Sequence, residues 1–205
     1  ADEPLRNKIL ALARRGPAAG PTRLRAEHLA PLVGNQSCLD GIALMLTEIA
    51  NGRCSDRLRY LLTTASLVPL QKDEKGGIRP LSLRDVMYRL CASLLVEHDQ
   101  QAVIDACGPR QFGTLPAGPE AVVHGVQAAI DRKEPTAVIH TDLKNAYGEA
   151  SKAAMLGSMF EQPGLAHIHR LADWMYSKAH VAIAVDFTGR VQCKVIVETG
   201  VGQGD

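Results

Sequence analysis

The sequence predicts an α+β fold, helix-rich with short antiparallel strands and hairpins. Three observations lead there. Apolar residues recur at helical spacing through the first third and again from Arg84 onward. Two pairs of short β-favouring runs, "ASLVPL" with "IRPLSL" and "HVAIAVDF" with "RVQCKVIVE", each flank a loop that contains glycine. The order is helices, hairpin, helices, strand, helices, hairpin. That order does not alternate strand and helix, which argues against a doubly wound parallel sheet.

Each element has a local cause. A helix follows Pro4 and is broken by "GPAAGP" at 16–21. "SCLDGIALMLTEIANG" begins with Ser37 as N-cap and Asp40 three residues on. Ile42, Leu46 and Ile49 share one face, and Gly52 stops the helix. Ser55 caps a further short helix. The two runs around "QKDEKGG" form a hairpin with a loop longer than a tight turn. A long helix is expected over 84–106, with Val86, Met87, Leu90, Leu94 and Leu95 as its apolar stripe and Gly108-Pro109 as its end. "PEAVVHGVQAAIDR" starts another with Pro119 in its first turn. Ala137-Val138-Ile139 predicts a short strand that delivers Asp142. Helices are expected over 149–161 and 165–178, divided by Pro163-Gly164, and Thr188-Gly189 turns the second hairpin.

The 205 residues are 46% hydrophobic, enough for one large domain or two intimate subdomains. At 4% aromatic, the core is expected to be mainly Leu, Val, Ile and Ala. The net charge of +1 makes no global case for nucleic acid, although a groove can be locally basic. Five cysteines without a Cys-x-x-Cys pair argue against a zinc knuckle or a disulfide framework and fit a reducing, intracellular setting of unspecified compartment. His167 and His169 stand two apart in a helix, point in different directions, and read as surface or packing residues. No apolar run reaches the length of a membrane span, so no membrane partner is expected.

Four stretches carry chemistry. "VPLQKDEKGGIRPLSL" sets Lys72, Lys75 and Arg79 on a loop between strands, where cations close over polyphosphate or simply decorate a solvated tip. "PRQFGTLPAGPEA" reads as a turn. "VIHTDLKNAYGEA" presents Asp142, which alone reads as a cap or turn residue. "TGVGQGD" brings backbone close to a ligand or makes a turn, and its context does not fit a dinucleotide fingerprint.

In this order the four resemble the reverse transcriptase family, especially the polymerases of retrotransposons lacking long terminal repeats. "LVPLQKDEKGGIRPLSL" is similar to the fingers strand, Lys-bearing loop and Arg-Pro-Leu/Ile-Ser turn. Tyr88-Arg89 matches a Tyr-Arg pair, and "QFG" a Gln-aromatic-Gly element. "DLKNAY" matches the first catalytic motif, Asp-x-x-Asn-Ala-aromatic, and "GVGQGD" matches Gly-x-x-Gln-Gly-Asp. "GPTRLRAEHL" looks like the segment leading into the fingers.

The resemblance implies a right-hand polymerase arrangement, with an N-terminal extension and fingers-like region over 1–135 and a partial palm over 136–205. It implies RNA-directed DNA polymerisation with Mg²⁺, on an RNA template and a DNA primer. Asp142 would be the first metal-binding carboxylate and the carbonyl of Leu143 a second ligand. Tyr147 would crowd a ribose 2′-hydroxyl, and Gln203 would touch the incoming nucleotide. Lys72 and Arg79 would hold its phosphates, with Lys75 in support. Lys152 stands near the point where the family often has Arg. The family's paired aspartates, in a Tyr-x-Asp-Asp hairpin, lie downstream of Gly-x-x-Gln-Gly-Asp, and neither Asp173 nor Asp186 has that context. Residues 1–205 alone are therefore expected neither to hold the metals nor to polymerise. The alternative is a domesticated, non-catalytic descendant that binds structural RNA and proteins in a ribonucleoprotein such as a ribosome or splicing particle.

Overall fold

A computed structural model describes residues 2–71, 77–133, 137–143, 145–186 and 190–202. Helix α1 (Asp2–Arg15), the single turn α2 (Ala26–Leu29), α3 (Gln36–Ala50) and α4 (Asp56–Thr63) come first. The first hairpin is β1 (Ala65–Gln71) and β2 (Ile78–Leu83). Then follow α5 (Val86–His98), α6 (Gln100–Cys107), α7 (Gly118–Asp131), α8 (Ala146–Glu149), α9 (Lys152–Phe160) and α10 (Ala166–Tyr176), and finally β3 (His180–Val185) and β4 (Val191–Val197). The chain is a mixture of helix and sheet, as the sequence predicts.

Most local expectations hold. Ser55 accepts from the Leu58 amide and starts α4. Ile42, Leu46 and Ile49 are buried together on α3. Pro119 sits in the first turn of α7. Others shift for identifiable reasons. The helix α1 starts at Asp2, leaving Pro4 in the first turn, where its missing N–H costs nothing. Asn35, not Ser37, caps α3 by accepting from the Cys38 amide, and Asp40 instead takes a hydrogen bond from the Gln36 side chain. The long helix expected over 84–106 is two helices, because the chain bends at Asp99 between α5 and α6.

The two hairpins join into one four-stranded sheet of order β2-β1-β3-β4. The outer pairs are antiparallel, but β1 and β3 run parallel, with Ala65 opposite Ala182. Strands from both sides of position 135 thus share one sheet. It is buried only at its base, around Ala65, Ser66, Val181 and Ala182, and opens to solvent toward the hairpin tips.

The helical core gathers residues of α1, α2, α3, α5 and α10, with Ile9, Leu39, Ile49, Leu90 and Met175 fully enclosed. Aliphatic side chains dominate, as composition predicts, although Tyr88, Trp174 and Tyr176 are buried with them. Two arginines tie this core to the sheet. Arg84 is completely buried; it donates to the Thr63 carbonyl and lies 3.0 Å from His180 Nε2. An arginine only donates, so that nitrogen accepts and the imidazole proton sits on Nδ1. Arg59 donates to the Trp174 and Met175 carbonyls at 2.6 and 3.0 Å, satisfying acceptors that the end of α10 leaves open. Burial pushes the Arg59 pKa down, against the opposing pull of Asp56 and Asp173.

Replacing Arg59 by Met should therefore lower unfolding free energy by about 2 kcal/mol, because it strands buried carbonyls. Urea denaturation measures this, and an unchanged midpoint would show that those carbonyls find other donors. A second expectation concerns thiols. Burial pushes Cys91 up to about 12, since the charged thiolate is disfavoured away from water. At pH 8 only about one molecule in 10⁴ carries the reactive form. Iodoacetamide should label exposed Cys107 and Cys193 in the folded protein, and Cys91 only after denaturation. Comparable labelling of Cys91 without denaturant would contradict the burial.

Candidate functional site

The strand expected to deliver Asp142 is not formed. Residues 137–143 have no regular structure and join none of the four strands. Val138 and Ile139 are 66% and 85% exposed. Their β propensity is real, but a strand is stabilised by a neighbour and a buried face, and the segment has neither among the described residues. Asp142 and Leu143 are exposed, and Asp142 makes no hydrogen bond or ion pair among the described residues.

Immediately downstream the geometry is tightly fixed. Asn145 adopts a left-handed conformation and starts the single turn α8, which carries Tyr147. Two backbone bonds then hold this segment against "TGVG": the Val201 amide donates to the Tyr147 carbonyl at 2.8 Å, and the Gly200 amide to the Ala150 carbonyl at 3.0 Å. Gly200 has φ +75°, and a Cβ built there would lie 2.5 Å from the Gly148 carbonyl oxygen. Only glycine meets both demands. A third tie comes from Lys152 at the start of α9, whose ammonium donates to the Val197 carbonyl at the end of β4, 2.8 Å away. Burial pushes the Lys152 pKa down, helped by Arg84 and Arg59 and opposed by Glu198.

Two hollows flank this seam. Tyr147, 54% exposed, helps line a cavity of about 270 Å³ with Tyr88, Met155, Met159, Tyr176 and Val201. On the other side, Glu149 to Ala153 face Tyr176 to Ala179 and Glu198-Thr199 across about 700 Å³. Tyr147 and the chain leading into Gln203 are thus neighbours.

Not every expected residue converges here. Lys72, Lys75 and Gln203 lie outside the described residues, as does the Thr188-Gly189 turn. Arg79 belongs to strand β2 rather than to the loop, opposite Leu70 and exposed. It is at the tip end of the sheet on one edge, whereas Val197, opposite His180, is at the base end on the other edge. Along the strands alone that is on the order of 20 Å. The structure therefore brings Tyr147 together with the approach to Gln203 but does not bring Arg79 to them.

No protein-family model and no curated protein matches this chain.

Sequence reasoning missed the structural charges. Tyr88 is buried, and Arg89 donates to the Ala18 carbonyl at 2.9 Å, fastening the N-terminal loop. It also missed His98, Asp99 and His167, a group of potential metal ligands to which Asp142 does not belong. The usable signal was the His98-Asp99 pair at a helix end. The rings of His167 and His169 diverge, as their spacing predicts: His167 faces Asp99, and His169 packs on Phe160.

Two glycine substitutions should differ in sign. Gly200→Ala should cost about 2–4 kcal/mol, from positive φ and backbone overlap. Gly41→Ala, in the exposed interior of α3 with open space around it, should add about 0.5–1 kcal/mol. Equal effects in thermal denaturation would refute the contact between Gly148 and Gly200.

Proposed function

We propose that this chain is the fingers and first part of the palm of an RNA-directed DNA polymerase of the non-LTR retrotransposon type. It would bind template-primer and an incoming nucleotide. The observation that carries the proposal is the backbone seam joining Tyr147 and Ala150 to Val201 and Gly200. Two segments more than fifty residues apart, each resembling a motif that such polymerases keep at one nucleotide site, lie side by side. The order of the remaining motifs supports the same reading.

The donor atoms suit Mg²⁺ in kind, since Asp142 offers carboxylate oxygen and Leu143 a carbonyl, but two donors fall short of a two-metal set. Bound Mg²⁺ would activate a primer 3′-hydroxyl and neutralise charge on the α-phosphate and departing pyrophosphate. The chain's own part is positioning. Tyr147, half exposed beside the seam, would stand under the sugar and crowd a 2′-hydroxyl. Gln203 follows directly on Gly202, which lines the same cavity as Tyr147, and would touch the nucleotide there. Lys72 and Lys75 are the cations proposed for the triphosphate; Arg79, at the tip end of the opposite sheet edge, stands away from this seam.

The exposed position of Asp142, outside any cluster of three potential ligands among the described residues, favours a second reading: a non-catalytic descendant that binds RNA or protein in a ribonucleoprotein.

Primer extension on an RNA template with Mg²⁺ separates the two, using the longest natural product that contains this chain. In the first reading Asp142→Ala abolishes extension, and Tyr147→Ala raises ribonucleotide relative to deoxyribonucleotide incorporation. Residues 1–205 alone bind template-primer in a salt-sensitive way without extending it. Extension that survives Asp142→Ala sinks the site assignment. RNA binding with no extension by any form selects the second reading.

A further inference from the structure

We infer that His98, Asp99 and His167 form a binding site for a zinc-class divalent cation that staples the junction of α5 and α6 to the start of α10. It shares no residue with the proposed nucleotide site and does not depend on that reading.

The geometry comes from three elements. His98 is the last residue of α5, Asp99 is the hinge between α5 and α6, and His167 lies in the first turn of α10. His98 Nδ1 is 2.6 Å from one Asp99 carboxylate oxygen, and His167 Nδ1 is 3.3 Å from the other. The two rings meet edge-on with centroids 6.0 Å apart. All three ligand atoms lie within 4.8 Å of one another. Tetrahedral coordination with Zn–N bonds of about 2.0–2.1 Å needs donors about 3.4 Å apart. The His167–Asp99 pair is already at that spacing.

The carboxylate shows an independent sign of this use. Asp99 is the residue preceding α6, where an aspartate normally caps the helix by accepting from its first amides. Here it makes no such bond. The side chain is buried and directs both oxygens to imidazoles instead. The neighbouring carboxylate, Glu97, is already held by Lys8 at 2.8 Å and is not competing for the site.

Donor chemistry selects the ion. Two imidazole nitrogens and one carboxylate suit Zn²⁺, Co²⁺, Ni²⁺ or Cu²⁺, whereas Mg²⁺ prefers oxygen alone. The exposed side chains of His98 and His167 leave the remaining coordination position open to water. A cation bound only by the folded chain raises its stability with the logarithm of the free cation concentration above Kd.

The test uses the untagged chain after treatment with EDTA, titrated with Co²⁺ and Zn²⁺. One equivalent of Co²⁺ should bind with a visible absorption of nitrogen-ligated metal, and Zn²⁺ should displace it and raise Tm. His98→Gln and His167→Gln, both at exposed positions, should each weaken binding at least tenfold. Asp99→Asn should do the same, with folding checked by circular dichroism. His169→Gln, two residues on and turned to a different side of the helix, should leave binding unchanged. Absence of one-equivalent binding, or binding that survives both His98→Gln and His167→Gln, overturns the inference and leaves a hydrogen-bonded cluster.

Discussion

The buried pair Arg84-Asp85 is the constraint on which the arrangement depends. These consecutive residues, 0% and 1% exposed, stand where β2 hands over to α5. Arg84 reaches across the sheet to the Thr63 carbonyl and to His180, and so fixes the end of α4 and the start of β3. Asp85 caps α5 through the Met87 amide and accepts from Thr22 Oγ1. Gly20 lies against the Arg84 carbonyl so closely that a Cβ would come within 2.5 Å of it. An N-terminal loop, two helices and two strands therefore meet at one charged dipeptide. Burying such groups is costly unless their hydrogen bonds are made, so a small displacement of any partner is penalised steeply.

The same constraint reaches the seam near Tyr147. The base of the sheet is held by Arg84, and β4 leaves that base at Val197, where Lys152 grips its carbonyl. The two residues beyond have little freedom before Gly200 docks on Gly148. Asp142 lies upstream of the seam, outside this fixed framework. A precise scaffold on one side and an exposed carboxylate on the other describe the same segment.

Legibility in the sequence followed the range of the forces involved. Both hairpins, the Ser55 cap, the buried face of α3 and the first turn of α7 depend on neighbours within a few residues, and all were readable. Motif order likewise picked out Tyr147 and the glycines of "TGVG", which the structure sets together. The parallel pairing of β1 with β3 was not readable, because nothing local in "ASLVPL" names a partner more than a hundred residues away. Ala137-Val138-Ile139 failed for the complementary reason: its propensity is local, but a strand's existence is decided by a neighbour. The bend at Asp99 was hidden because the apolar stripe of Val86 to Leu95 continues smoothly toward it, and the carboxylate's partner on α10 lies far along the chain.

The parallel pairing also sets a schedule for folding. Each hairpin closes a short loop and can form early, but Ala65 meets Ala182 only after the intervening helices have been made and packed. During synthesis the first hairpin must wait with one edge of β1 unpaired, a template for any passing strand. The sheet's centre thus rests on a pairing of high sequence separation, the kind of contact that slows folding, while each outer pair is local.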